Sequence, residues 1–376
     1  MKIAILHEML VKLWWAEKVV ESFMQTFPEA DIFTLIYDED KVKEIFPKNK
    51  INKQCFSLAT NKRYNLLKKQ RLCLPLMAKS VESLDFSEYD VVLCSSSWFA
   101  HWAITKPETK FIVYYHSPAW YLWHQNHEYK NMILNNKNFI FRFLLNTYLS
   151  RFFIRAREWD FLAGQRTDVI IAASCDTKKR IEKYYNKKVD LVLFPPVDVV
   201  KFYNNSYKIK DYYLTISALT ESKRLETMIN AFNKMPNKKL KIIWVWNLEE
   251  PLKKLVKWDN IEFLWYKSWK ELYKLVWESR WWIYTWVEDF WIAAIESMAS
   301  GRPVFWLKEW WFKETIIPNK TWDFFDFGDG SDFISKFEIF EKNIDNWIYK
   351  EKYLLGHVKQ FSKENFIEQI KNIVKK

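Results

Sequence analysis

Short apolar runs alternate with helical patterns along nearly the whole chain. In the first half, six runs have the length and composition of β-strands: 2–6, 31–36, 90–96, 110–116, 168–174 and 189–194. Five more follow in the second half: 212–218, 240–246, 261–266, 281–286 and 303–307. Continuous apolar strands separated by helices predict parallel sheets that are covered on both faces.

The β-α order occurs twice, with a break in the polar, proline-containing segment "FPPVDVVKFYNNSYKIKDYY". We therefore predict an α/β protein with two doubly wound, Rossmann-like domains. The predicted bounds are 1–200 and 201–345, followed by C-terminal helices over 346–376 that pack back on the first domain. Two such domains would face each other across a cleft, with the chemistry in loops that follow the strands.

Glycine and tryptophan contents depart from those of ordinary proteins. The chain has 5 Gly and 22 Trp among 376 residues, whereas Gly alone usually takes about 7%. Tryptophans stand at turns where Gly is expected, as in the doublets Trp14-Trp15, Trp281-Trp282 and Trp310-Trp311. We infer that most of these codons specify Gly in the source organism, for example as UGA codons. Trp123 and Trp159 lie in aromatic or helical settings and are expected to be genuine. The alternative is a truly Trp-rich protein.

The net charge of +12 favours an anionic partner, which could be nucleotide phosphates, a lipid surface or nucleic acid. The four cysteines lack metal-site spacing, which indicates a reducing compartment. No apolar run has the length of a signal peptide or a membrane span. A cytoplasmic location is therefore expected.

Two glutamates follow the strand predicted at 281–286. Glu288 and Glu296 are separated by "DFWIAAI", and a helix is expected to begin near Trp291. The first N–H groups of that helix would attract a phosphate, whose close approach requires Gly rather than Trp at 291. The alternative is two solvated glutamates on a surface helix.

Three other candidate motifs follow predicted strands. Lys223 and Arg224 suit a diphosphate, because Lys is a point charge and Arg can bind two oxygens. Trp14 and Trp15, if they are Gly, would form a turn that lets a phosphate or sugar approach the backbone. His116 can hydrogen-bond a sugar hydroxyl or help to neutralise a phosphate. The alternative for Lys223 and Arg224 is an ordinary helix start, and the alternative for His116 is a structural histidine.

Together these motifs resemble the family 4 (group 1) retaining glycosyltransferases of the GT-B fold, from residue 2 to about 330. With Gly in place of Trp, residues 288–304 would be "EDFGIAAIESMASGRPV". The mannosyltransferase-like subgroup of polysaccharide and glycolipid assembly is the most similar. The resemblance implies a nucleotide-diphosphate sugar held mainly by the second domain, and a saccharide or lipid-linked acceptor held by the first.

The resemblance also implies a role for each candidate residue. Glu296 resembles the residue that binds the donor ribose, and Glu288 a catalytic residue that contacts the transferred sugar. Lys223 and Arg224 resemble the diphosphate ligands, and His116 the active-site histidine. Trp14 and Trp15 match a Gly-Gly turn near the donor phosphate and acceptor. The donor-binding loop comprises Asp289, Phe290, Trp291 and Ile292. Ala218 departs from the pattern, because many members carry Arg there.

Retention is expected to proceed by same-face attack, in which the leaving diphosphate deprotonates the acceptor. No cofactor and no obligatory metal are expected. Two basic and apolar stretches, 61–79 and 139–157, could lie on the anionic inner face of the cell membrane. The alternative is a solvated face over a core stripe.

Two other functions compete with this interpretation. A GT-B-fold sugar-nucleotide epimerase would turn over a nucleotide sugar without a second sugar. A basic nucleic-acid-binding protein would use the positive charge and the aromatics. The second alternative does not explain the alternating α/β order, so no nucleic-acid partner is expected.

Overall fold

The structure is a computed structural model of the chain. It describes residues 1–13, 15–52, 79–135, 138–203, 207–218, 223–245, 249–265, 267, 269–285, 292–307, 322–325, 332–346 and 351–376. The chain divides into two compact units. Unit 1 comprises Met1–Pro196 and Phe366–Lys376, and unit 2 comprises Val197–Asn365.

Unit 1 is built on a six-stranded parallel sheet with the order β2-β1-β3-β4-β5-β6. Chain order reverses beside β1, so the switch point of the sheet lies between β1 and β3. The strands are β1 Ile3–Leu10, β2 Asp31–Tyr37, β3 Val91–Ser96, β4 Lys110–Tyr115, β5 Val169–Ala172 and β6 Leu191–Val192.

Helices cover both faces of this sheet. They are α1 Trp15–Thr26, α2 Glu39–Val42, α3 Asn126–Leu134, α4 Phe139–Gln165, α5 Cys175–Tyr185 and the last helix, α13 Lys363–Lys375. Successive strand residues alternate between two apolar clusters, as period-2 side chains must. Ala4 and Leu6 enter one cluster and Ile3 and Ile5 the other. Short 3-10 turns lie at Lys48–Lys50 and Ala100–Trp102.

The last helix completes one of these clusters. Phe366, Ile370 and Val374 are buried at a spacing of four residues, which places them on one face of α13. Phe366 stacks on Phe23, with the ring centroids 5.9 Å apart, and meets Tyr114 edge-on at 5.7 Å. The C-terminus is therefore part of the core of unit 1.

Unit 2 repeats the design with the strand order β12-β11-β10-β7-β8-β9, again all parallel. Its switch point lies between β7 and β10. The strands are β7 Tyr213–Ala218, β8 Leu240–Val245, β9 Ile261–Leu264, β10 Trp282–Tyr284, β11 Val304–Leu307 and β12 Trp322–Phe325.

Seven described helices belong to unit 2. They are α6 Val199–Phe202, α7 Leu225–Asn233, α8 Glu249–Lys253, α9 Trp269–Glu278, α10 Ile292–Ala299, α11 Phe333–Asp345 and α12 Glu351–Val358, followed by a 3-10 turn at Lys359–Phe361. Val197, at the start of the unit, bridges to Ser362 near its end.

The predicted strands are all present, with ends that shift by a few residues, and the α/β class of two parallel-sheet domains is confirmed. Strand β12 was not predicted from the sequence. The strand has only four residues and contains Asp323, so it gives no apolar run. Its pairing with β11, from Val304 with Trp322 to Leu307 with Phe325, defines it as a strand.

Two pairs of tryptophans differ in how their indole N–H groups are satisfied. Trp281 and Trp282 are fully buried in unit 2, and their indole N–H groups have no hydrogen-bond partner among the residues that the structure describes. By contrast, Trp123 donates to Asp160 Oδ2 at 2.6 Å and Trp159 to Glu82 Oε1 at 3.1 Å. An unpaired buried N–H costs roughly 1–3 kcal/mol, so the Trp281-Trp282 doublet is poorly satisfied.

Among the helices that the structure describes, none is both long enough and apolar enough to cross a membrane.

Candidate functional site

The switch point of unit 2 places Lys223 beside the residue that follows β10. β7 and β10 are neighbours, and the chain leaves their carboxyl ends toward α7 and α10. Thr285, the residue after β10, donates its Oγ1 hydrogen to the backbone carbonyl of Lys223 at 2.9 Å. The segment that carries Lys223 is therefore fixed to the residue that precedes the Glu288 motif.

Arg224 has an unusual backbone conformation at this edge. It precedes α7 with φ 49° and ψ 39°, in the left-handed region, and its residue is exposed. A side chain in this region costs roughly 1–2 kcal/mol. Such strain is often found where a functional site fixes the backbone. Lys223 and Arg224 thus place two cations at the carboxyl edge of the sheet, where ligands of this fold class bind.

Glu296 lies in the second turn of α10 and is 9% exposed. Burial is the main cause of the raised pKa of Tyr273 on α9, and the negative charge of Glu296 raises this pKa further. The helix ends at Ala299, and Gly301, two residues later, has a left-handed φ of 73°. A Cβ there would lie 2.9 Å from Glu351 Cγ. Both observations favour glycine at position 301.

Several predicted positions lie outside the described residues: Trp14, Glu288, Asp289, Phe290 and Trp291. Ile292 begins α10, and only its backbone is described. Trp15 begins α1, is 45% exposed, and has Lys18 Nζ 4.6 Å from its ring centroid.

His116 follows β4 directly, as predicted, and is half-buried. Its Nε2 lies 2.9 Å from Ser95 Oγ, and its backbone carbonyl accepts a hydrogen bond from Thr177 Oγ1 at 3.0 Å. Burial and the nearby His7 lower the pKa of His116 to about 3, against an opposing effect of Glu8. The imidazole is therefore neutral near pH 7, which suits a hydrogen bond to a hydroxyl better than neutralisation of a phosphate.

Glu8 was not singled out from the sequence, yet it organises this end of the sheet. Its side chain is buried, at 3% exposure, and Oε1 accepts the backbone N–H groups of Ser97 and Trp98 at 2.7 Å each. Ser96 Oγ donates to the same oxygen at 3.2 Å. Burial acts to raise the pKa of Glu8, but the His7 ring and these hydrogen bonds outweigh it and lower the pKa. The residue is a fixed buried anion.

A hydrogen-bonded network continues from Ser96 into the core. Ser96 Oγ lies 2.9 Å from His101 Nδ1, and His101 Nε2 lies 3.0 Å from Asp160 Oδ1. Asp160 is fully buried and also accepts from Trp102, Trp123 and Tyr185. The sequence signal for this network was a carboxylate inside the apolar run "IAILHEML", since buried Glu is almost always paired.

An acidic triplet, Asp38-Glu39-Asp40, follows β2 and was also passed over in the sequence. Asp38 pairs with Lys41 at 2.8 Å and Glu39 with Lys48 at 2.9 Å. These surface pairs give Asp38 and Glu39 an ordinary structural role.

The second half of the chain matches a known protein family. Residues 197–371 match the family model of glycosyl transferases group 1. The match covers just under half of the chain and all of unit 2. Unit 2 is therefore similar to group 1 glycosyltransferases over its whole length. No curated protein sequence matches it.

Solved glycosyltransferase structures have the same architecture. Anabaena Alr3699/HepE in complex with UDP has a TM-score of 0.68 at 12% identity, with 100% of both chains covered. Sucrose-phosphate synthase from Thermosynechococcus elongatus has a TM-score of 0.69 at 14% identity, with 100% of this chain and 98% of that chain covered. A glycosyltransferase from Rickettsia africae ESF-5 gives 0.65 at 15%, with 99% and 97% covered. The fold is GT-B, as predicted.

Replacing Glu8 with Gln is expected to destabilise unit 1 by about 1.5–3 kcal/mol near pH 7, because charge-assisted hydrogen bonds are lost. The folded-state pKa of Glu8 is below its ordinary value of 4.5. Its contribution is therefore complete above that value and disappears as the pH falls through the folded pKa. Urea unfolding from about pH 7 to about pH 3, followed by hydrogen exchange at β1 amides, measures both effects.

Glu88→Gln is the matched control, since Glu88 is 76% exposed and pairs with Lys2 at the surface. A loss from Glu8→Gln that stays the same down to about pH 3 would contradict a charge-based role for Glu8.

Proposed function

We propose that the chain is a retaining glycosyltransferase that moves a sugar from a nucleotide-diphosphate sugar to a saccharide or lipid-linked acceptor. The observation that carries the proposal is the group 1 glycosyltransferase match over residues 197–371. Structures of Anabaena Alr3699/HepE in complex with UDP, with UDP-glucose, and with UDP and glucose support a nucleotide-sugar donor.

The donor is proposed to bind unit 2 at the edge between β7 and β10. Lys223 and Arg224 would hold the diphosphate, and the N-terminus of α10 would add backbone donors. Glu296 would hold the ribose hydroxyls. Glu288 would contact the transferred sugar, with Asp289, Phe290, Trp291 and Ile292 forming the surrounding loop. Support for these roles comes from the hydrogen bond between Thr285 and Lys223, which ties the Lys223 segment to the residue that follows β10.

The proposed reaction exchanges one bond at the anomeric carbon for another on the same face. The bond to the diphosphate oxygen breaks, a bond to the acceptor oxygen forms, and the acceptor proton passes to the leaving diphosphate. Lys223, Arg224 and the helix N-terminus would stabilise the charge that grows on the diphosphate. No obligatory metal is proposed, since these groups supply the positive charge.

In unit 1, His116 is proposed to hydrogen-bond a sugar hydroxyl as a neutral imidazole, while the turn at residues 14–15 contacts donor phosphate and acceptor. The support for His116 is its lowered pKa and its hydrogen-bond contact with Ser95. Mannose as the transferred sugar, and polysaccharide or glycolipid assembly at the cytoplasmic face of the cell envelope, complete the proposal. A screen of nucleotide sugars with saccharide and lipid-linked acceptors tests these points.

The natural polypeptide is proposed to carry Gly at most positions written Trp. Support comes from the count of 5 Gly against 22 Trp, and from the unpaired indole N–H groups of Trp281 and Trp282. Trp123 and Trp159, by contrast, have carboxylate partners and are proposed to be genuine. Trp258 donates its indole N–H to the Asn233 carbonyl at 3.0 Å, a hydrogen bond that Gly at this position would remove.

In a chain with Gly restored, Lys223→Ala and Glu296→Ala are each expected to weaken binding of UDP, or of whichever nucleoside diphosphate binds best, at least roughly tenfold. The reason is the loss of a charge-assisted contact to the diphosphate or the ribose. Calorimetric titration measures the affinity, and Glu296→Gln keeps the side-chain volume of this nearly buried position. Lys234→Ala and Glu338→Ala are exposed controls on α7's end and α11. Unchanged affinity in both site variants would remove the assignment.

For His116, replacement by Ala is expected to lower kcat roughly tenfold, which corresponds to one neutral hydrogen bond. His116→Gln should keep more activity than His116→Ala, and His116→Lys should not restore it, because no positive charge is required. Steady-state kinetics from about pH 5 to about pH 8 test this, with the exposed His127→Ala as control. Recovery by Lys would show that a cation is needed instead.

The mass of the natural polypeptide is expected to be lower than that of the written chain by one Trp–Gly difference for each recoded position. Intact-mass measurement with peptide sequencing assigns each site. A chain made with all 22 Trp is expected to fold poorly or be inactive. A natural mass that matches the written sequence, or robust turnover by the all-Trp chain, would overturn the recoding.

A further inference from the structure

The first two turns of α4 stand out from unit 1. Every residue from 138 to 144 is exposed. The large apolar residues there have high exposed fractions: Phe139 84%, Ile140 73%, Phe141 50%, Phe143 65% and Leu144 62%. We call Phe139–Leu144 the apolar tip. The helix is capped at its start, because Asn138 Oδ1 accepts a hydrogen bond from the Phe141 N–H at 2.9 Å, so the tip is an ordered helical element.

The rest of the same helix is anchored in the core. The buried residues of α4 are Leu149, Phe153, Ala156, Asp160, Ala163 and Gly164, a stripe at helical spacing that begins only at Leu149. Asp160 adds hydrogen bonds from Trp102, Trp123 and Tyr185. The anchored half therefore holds the apolar tip away from the core of unit 1.

The five apolar residues of the tip cover more than half of its circumference, which favours a lipid interface over a groove. Consecutive helical residues are rotated by about 100°, so these five side chains spread over an arc of roughly 200°, and Arg142 occupies the remaining sector. A protein groove covers a narrower face of a helix, through residues spaced at i, i+3, i+4 and i+7. A helix with a broad apolar face and basic residues is suited to a bilayer interface. Arg142, the one charged residue of the tip, has a long side chain that can reach back toward water.

The charged residues of α4 up to Arg157 are all basic, which favours an anionic lipid surface. From Phe139 to Arg157 the charged residues are Arg142, Arg151, Arg155 and Arg157, and the first acidic residue is Glu158. Arg151 and Arg155 are exposed. At a rise of 1.5 Å per residue, Arg151 lies about 10 Å beyond Leu144 along the axis. If the tip enters the acyl region by about 5–10 Å, this arginine comes to the level of the lipid phosphates.

We propose that the apolar tip inserts into an anionic lipid bilayer and that Arg151 and Arg155 contact the headgroups. The surface is one of the two stretches predicted for membrane contact, and the other, 61–79, lies outside the described residues except for its last residue. This inference goes beyond sugar transfer and does not rest on it, because the contact requires neither donor nor acceptor. It would bring the enzyme to the surface where a lipid-linked acceptor resides.

The test is vesicle flotation of the full chain, with the Trp and Gly positions as the intact mass defines them, and without sugar nucleotide. Vesicles are phosphatidylcholine alone, or phosphatidylcholine with about 30% phosphatidylglycerol. Binding is expected to the anionic vesicles and to weaken with salt. Combined replacement of Phe139, Ile140, Phe143 and Leu144 by Ser should lower the partition coefficient at least tenfold. Combined replacement of Arg142, Arg151 and Arg155 by Gln should abolish the preference for phosphatidylglycerol.

Matched controls separate this surface from general stickiness. Val200, Ile209 and Ile339 are exposed at 69%, 51% and 50%, and their replacement by Ser should leave vesicle binding unchanged. Lys371, Lys375 and Lys376 are exposed on and after α13, and their replacement by Gln tests net charge alone. Retained thermal unfolding and nucleotide affinity show that each variant is folded.

Failure of the full chain to bind anionic vesicles, or equal binding by the tip variant, would overturn the proposal. A concentration-dependent dimer in sedimentation that the tip variant abolishes, without vesicle binding, would assign the tip to self-association instead. If the full chain binds anionic vesicles but transfers no sugar, only the proposed function is contradicted.

Discussion

Parallel pairing of strands is the constraint on which the rest of this structure depends. In each unit it places the carboxyl ends of six strands at one edge, and the reversal of chain order opens that edge at β1/β3 and at β7/β10. Residues far apart in the sequence therefore meet there. Lys223 and Thr285 are 62 positions apart and share a hydrogen bond, while Glu8 accepts from Ser97, 89 positions away. The chemistry of the protein is concentrated where the sheets leave backbone groups unpaired.

The carboxyl edges of the two sheets differ in the charge of the side chains that lie there. In unit 1 the N–H groups at Ser97 and Trp98 are satisfied internally by the Glu8 carboxylate, whose charge is compensated by hydrogen bonds rather than by solvent. Ser95 and Ser96 then extend this polar network to His116 and His101. In unit 2 the corresponding edge has the cations Lys223 and Arg224, and Arg224 holds a strained backbone conformation. In unit 1, the Glu8 carboxylate holds the backbone at the sheet edge in place. In unit 2, the two cations at the edge are suited to bind a diphosphate.

Burial also distinguishes among the tryptophans and along α4. An indole with a carboxylate partner, such as Trp123 on Asp160, contributes both packing and a hydrogen bond. A fully buried indole with no partner, such as Trp281, contributes packing at the cost of an unsatisfied donor. Along α4, the buried residues begin at Leu149, whereas the large apolar residues of the tip are exposed. Hydrophobic character alone does not separate these cases.

Eleven strands, the α/β class and the positions of Lys223, Arg224 and His116 after strands followed from the sequence, because apolar periodicity and strand-end position are local properties. Strand β12 did not, since Trp322–Phe325 becomes a strand only by pairing with β11. Glu8 was visible only as a charge inside an apolar run, and its partners are supplied by β3. The exposed tip at Phe139–Leu144 and the buried stripe from Leu149 both contain Phe and Leu. Which of them faces the core was decided by the contacts of unit 1, because burial depends on neighbours that the local sequence does not contain.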